Sequence, residues 1–183
     1  MFLLLPLIPQ SEGLCVKPST TMNQTEAKKI IKDTEYLDNR ILTFENPEAT
    51  AGGRQYCRVI DKKYLFSSTD ENKKQGAVKI RFKDVMTGKE FMEQLTMVAR
   101  TYTKKVVKEV DDAKAQLLVL LMDETEPVKS LEWVMARFKA EDPKFFETQK
   151  HKIETYLFEM WLESKISRST FKSKNLTVYS IRK

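Results

Sequence analysis

The stretch AVKIRFKDV, residues 77–85, alternates apolar and charged side chains almost without interruption. Alternation at period 2 is what a half-buried strand requires, because successive side chains leave opposite faces of the pleat. It commits Val78, Ile80 and Phe82 to an inner face and Lys79, Arg81 and Lys83 to an outer one. A sheet with one face on a core and one in water is typically antiparallel. The preceding stretches RQYCRVID and KKYLFSS are short, aromatic and β-branched, and read as two further strands with a turn at Asp61-Lys62.

Helical periodicity dominates elsewhere. MNQTEAKKIIKDTEYLDNR reads as a helix capped by Asn23 or Thr25, and Pro47 with Gly52-Gly53 then marks a loop. Thr87 and Glu90 fit a capping box, and Phe91, Leu95, Val98, Tyr102 and Val106 recur at helical spacing, which predicts a helix over about 88–110. LLVLLM, residues 117–122, is wholly apolar and belongs in the core, with helix favoured over strand by the helix formers before it. Pro127 and Asp142-Pro143 each suit the first turn of a helix, the second running to about Ile166. NLTVYSI near the end allows a short strand.

The expected fold class is α+β. A small antiparallel sheet over about residues 54–86 packs against four or five helices, with the C-terminal strand as a candidate further member. Residues 1–22 form an apolar arm, and residues 23–183 a single domain ending in a basic segment, 167–183. With 183 residues and 41% hydrophobic content the chain can bury a substantial core.

Charge is unevenly distributed. Residues 54–108 carry 14 basic and 6 acidic side chains, residues 109–166 carry 8 and 13, and residues 167–183 carry 5 and none. A basic middle, an acidic third quarter and a basic end imply a polyanionic partner or complementarity between the blocks.

Catalytic and metal chemistry find little footing. The one histidine, His151, falls off the apolar stripe of its helix and reads as solvated. No nucleophile sits in an activating context, and one His with two separated Cys does not build a tetrahedral metal site. No cofactor is expected. A Cys15–Cys57 bridge would need an oxidising compartment. Phe2 to Ile8 resembles a signal segment, but no basic residue precedes it and Pro6 and Pro9 interrupt it. It is also far shorter than the roughly 20 residues of a membrane span. The expectation is an intracellular protein, nuclear or cytoplasmic, with secretion left open. Only secretion would give the sequons at Asn23 and Asn175 meaning.

Two surfaces remain as candidates. Lys79, Arg81 and Lys83, with Arg168, Lys172 and Lys174 of the basic segment, suit phosphate contacts to a nucleic acid or nucleoprotein complex. YLFEMWL, residues 156–162, is apolar on more than one helical face. Phe158, Trp161, Leu162 and Ile166 are therefore core or an anchor for a protein partner or a second copy of the chain. The functional expectation is a non-catalytic binding protein using the basic surface, with a protein-interaction subunit or a small secreted effector as alternatives.

Overall fold

The computed structural model describes residues 22–49, 53–67 and 75–182. In chain order the elements are α1 (Gln24–Asp33), β1 (Ile41–Glu45), β2 (Arg54–Ser67), β3 (Gln75–Asp84), β4 (Glu90–Gln94), α2 (Leu95–Thr101) and α3 (Lys104–Leu121). They continue with β5 (Lys129–Ser130), α4 (Leu131–Glu141), α5 (Pro143–Gln149), α6 (Ile153–Leu162), β6 (Ile166–Phe171) and β7 (Leu176–Ile181). The fold is α+β, with a four-stranded antiparallel sheet in the order β1-β2-β3-β4 and a three-stranded one in the order β5-β7-β6. The C-terminal strand thus pairs with its own hairpin and β5 and does not join the first sheet. The expected arm lies outside the described residues except for Met22.

Alternation in β3 places Val78, Ile80 and Phe82 at 3%, 0% and 0% exposure. They pack with Leu42, Cys57 and Val59 against Ala27 of α1, Leu95 and Val98 of α2, and Val107 of α3. A second cluster joins Leu117 and Leu121 of α3 to Phe138 of α4, Leu157 and Met160 of α6, and Tyr179 of β7. Helix α3 serves both, so one rod ties the two layers together. Truncating a fully buried aromatic such as Phe82 to Ala costs about 3–5 kcal/mol.

Local chemistry overrides several sequence expectations. No turn forms at Asp61-Lys62, because β2 runs through it with a bulge at Ile60. The extra residue shifts the phase, turning Asp61 and Lys63 outward and Lys62 inward. Lys62, its side chain 4% exposed, meets the Asp38 carboxylate at 2.5 Å and donates at 2.6 Å to the Thr34 carbonyl beyond α1. A cation there also complements the negative end of the helix.

The helix expected over 88–110 is instead β4, α2 and α3. Asp84 accepts from the Met86 and Thr87 amides, and Gly88 takes φ +74°, so Thr87 builds a turn and caps no helix. Phe91 then packs on Phe82 across the β3–β4 ladder, with centroids 5.4 Å apart. Pro127 starts no helix either: Ser130 caps α4 by accepting from the Trp133 amide. Asp142 caps α5 and Pro143 is its first residue, as expected, but the rod breaks through a 3-10 turn at 150–152 and ends at Leu162. Asn23 and Glu26 form the capping box of α1, and residues 117–121 are helical.

Candidate nucleic-acid interface

The outward face of the first sheet is built by register. Arg58 stands opposite Lys83, Asp61 opposite Arg81, and Lys63 opposite Lys79. Cations along β3 repeat every 6.6 Å or so, twice the rise per residue, and adjacent strands lie about 4.8 Å apart. Five cations therefore share a patch a few residues wide.

They are not equally available. Arg81 donates from Nε and Nη2 to Asp61 at 3.2 and 2.7 Å, and from Nη1 to Glu90 at 3.3 Å. Those hydrogen bonds hold the Asp61 carboxyl below its usual range. Lys63 shares the same carboxylate at 3.3 Å. Arg58, Lys79 and Lys83 make no ion pair among the described residues. So Arg81 organises the patch, while Lys79, Lys83 and Arg58 have no acidic partner among the described residues.

The second set lies on the β6–β7 hairpin. Lys172 and Lys174 are exposed in the 3-10 turn at its tip, closed by Asn175 at φ +48°. Phe171 beside them is 52% exposed. Arg168 sits over the rings of Phe158 and Trp161, 5.4 and 5.8 Å from their centroids. Guanidinium over an aromatic face is an electrostatic attraction that also fixes the cation in place.

Phe158 links the two sets. Its ring lies 4.6 Å from that of Tyr56, which precedes Arg58 by two residues on the outward side of β2, and 5.2 Å from that of Trp161. Arg58, Tyr56, Phe158, Trp161 and Arg168 thus form one continuous run from sheet to hairpin. Phe158, Trp161 and Leu162 are half-buried, and Ile166 is 1% exposed on a strand, not the last turn of a helix. Ile166 therefore belongs to the core and offers nothing to a partner in this fold. Tyr56 was legible as aromatic, but its role depends on α6 crossing the end of the sheet, which no local pattern signals.

Beneath this run the layers meet through buried charge. Lys114 on α3 lies 2.8 Å from Glu159 and 2.9 Å from Glu163, and Thr43 of β1 donates its hydroxyl hydrogen to Glu159. At the exposed margin of this contact Arg40 donates both terminal nitrogens to Asp111 at 2.5 and 2.7 Å. Burial alone would lower the Lys114 pKa, but the two glutamates outweigh it and hold the ammonium above its ordinary value. The acidic third quarter of the sequence is thus partly spent inside the molecule.

Among the described residues no group of three or more His, Cys, Asp or Glu is placed to hold a metal ion, and no helix is long and apolar enough to cross a membrane. Comparison with protein-family models, curated proteins and solved structures finds no match to this chain.

Proposed function

We propose that this chain is a non-catalytic binding protein that grips a nucleic acid through its outward sheet face and its β6–β7 hairpin. One observation carries the reading: Lys79, Lys83 and Arg58, unmatched among the described residues, continue through the Tyr56–Phe158–Trp161 run to Arg168. Cations at phosphate-scale spacing give sequence-independent affinity, and the half-buried rings of Phe158 and Trp161 give bases a surface to stack on, with the buried Tyr56 ring supporting Phe158. That combination suits a single strand better than a duplex, whose bases are already stacked. Lys172 and Lys174 extend the contact, and Arg81 acts with Lys63 by occupying Asp61, which leaves Lys79, Lys83 and Arg58 unpaired among the described residues.

Fluorescence anisotropy with a labelled oligothymidylate tests it. With Lys79, Lys83, Arg58, Arg168, Lys172 and Lys174 engaged, the logarithm of affinity falls against the logarithm of salt with a slope of about −4, at about 0.7 per phosphate for a single strand. Joint Lys79→Glu and Lys83→Glu substitution makes that slope shallower by about 1.4. Absence of binding at low salt, or binding indifferent to salt, overturns the reading.

A further inference from the structure

We propose a second site: the cleft between the open edge of β1 and helices α3 and α6 binds a small amphipathic carboxylate. In β1 the Arg40 carbonyl and Asn46 amide bond across to β2, and the ladder registers Leu42 with Cys57 and Phe44 with Gln55. By alternation, the backbone groups of Ile41, Thr43 and Glu45 turn the other way, to the strand's unpaired edge. All three residues line a cavity of about 280 Å³. The Tyr102 hydroxyl donates to the Thr43 carbonyl there, and the Thr43 and Glu45 amides have no protein acceptor among the described residues. Backbone donors facing a hollow call for an acceptor.

The cavity is polarised. Its walls are apolar, with Ile41 on one side and Val106, Val110 and Tyr156 on the other. At the Ile41 end, Glu159 and Glu163 are neutralised by Lys114, and Glu163 also by Lys165 at 2.7 Å. Thr43 meets Glu159, and Arg40 and Ile41 line a neighbouring hollow with Glu163, so β1 runs antiparallel to α6 and Glu45 lies toward the start of that helix. There the lining adds Arg54, His151 and Lys152 beside the exposed Glu45 carboxylate, so two cations face one acid, and neither Arg54 nor Lys152 forms an ion pair among the described residues. A carboxylate at the Glu45–Arg54 end and an apolar body along the valines satisfies both halves.

An added peptide strand fits less well. Tyr102 caps the middle carbonyl of the edge, so a ladder could not run through it. The volume, about 280 Å³, also lies just below the roughly 300–1,000 Å³ range of drug-sized pockets, which suits a small ligand.

The probes are hexanoate and hexylamine, alike in length and opposite in charge, titrated while the methyl resonances of Val106, Val107 and Val110 are followed in the full chain. Hexanoate gives saturable shifts, and hexylamine binds at least about tenfold more weakly, a difference of one charge contact. Lys152→Glu, on the exposed rim, weakens hexanoate about tenfold without altering the fold, and Val110→Phe, which fills the cavity, abolishes it. Oligothymidylate does not displace hexanoate, and the Lys79→Glu, Lys83→Glu variant binds it normally, so the two sites succeed or fail separately. Unsaturable shifts, equal response to both probes, or indifference to Lys152→Glu overturns the proposal.

Discussion

Lys114 of α3, the helix that serves both hydrophobic clusters, and Glu159 of α6 meet at 2.8 Å with both side chains only 7% exposed. Removing one partner of such a pair leaves a buried charge without compensation, and costs about 3–5 kcal/mol. Here Glu159 and Glu163 share that ammonium, and Glu163 is met by Lys165 as well. Lys114→Met is therefore expected to lower the urea midpoint steeply. Adding Glu159→Gln and Glu163→Gln to Lys114→Met should recover much of the loss, because the orphaned charges are gone. A triple variant no more stable than the single one would contradict this account.

The same network predicts a pH window. Burial would raise the Glu163 pKa, but Lys114 and Lys165 outweigh it and hold the carboxyl below its ordinary value of 4.5. A depressed carboxylate pKa contributes stability above the unfolded value and loses it as pH falls through the folded one. Lys114, raised above its ordinary value of 10.5, contributes fully below that value and is lost only as alkali strips its proton. Unfolding free energy should thus fall on acidification below about pH 4.5. In Glu163→Gln that acid limb should be shallower, as read from urea titrations at stepped pH.

The sequence declares some of this and conceals the rest for physical reasons. Phe82 and Lys83 are legible because adjacent residues of a strand must take opposite faces. The β4–α2 boundary is not, because Phe91 and Leu95 are four residues apart, a spacing that suits one face of a strand as well as one face of a helix. Phe158, Leu162 and Ile166 mislead in the same way, with the last of them on β6. The bulge at Ile60 arises from pairing with β3, so no window around it shows that Lys62 turns inward and Asp61 outward. That slip decides the basic face, since it delivers the carboxylate that occupies Arg81. Lys114 has no local signature, and Glu159 shows only as the one polar residue of an apolar run.

Cys57 should be chemically silent in the folded protein. It is 0% exposed, and burial, aided by the charge of Asp84, pushes its thiol up to about 12. The thiolate is the reactive species, so at pH 8 only about one thiol in ten thousand is poised to react, and that one is out of reach. Iodoacetamide at pH 8 followed by peptide mass spectrometry should leave the Cys57 peptide unmodified until urea unfolds the chain. Its partner in the expected bridge, Cys15, lies outside the described residues. Labelling of Cys57 under native conditions would mean that the β1–β2–β3 core opens readily.

Ser164 holds the turn that separates α6 from β6 in a conformation better suited to glycine. Its φ is +60°, the Lys165 amide donates to the Met160 carbonyl at 2.9 Å, and the Ser164 amide donates to the Trp161 carbonyl at 3.0 Å. Those two bonds are the Schellman ending of a helix, whose left-handed residue is usually Gly. A side chain there costs about 1–2 kcal/mol, partly offset by the extra freedom glycine brings to the unfolded chain, about 0.4–1 kcal/mol. Ser164 is exposed, and its hydroxyl makes no hydrogen bond among the described residues, so nothing is lost by removing it. Ser164→Gly should therefore raise unfolding free energy by about 0.5–1 kcal/mol, a shift of about 2 °C in Tm. Ser164→Val should lower it, because a β-branched residue tolerates positive φ least. The turn also aims β6 so that Arg168 reaches Phe158 and Trp161, which gives the pair of variants a second readout. Glycine should preserve the Trp161 fluorescence maximum while valine shifts it, and a glycine variant less stable than the parent would show that this ending is not what directs the hairpin.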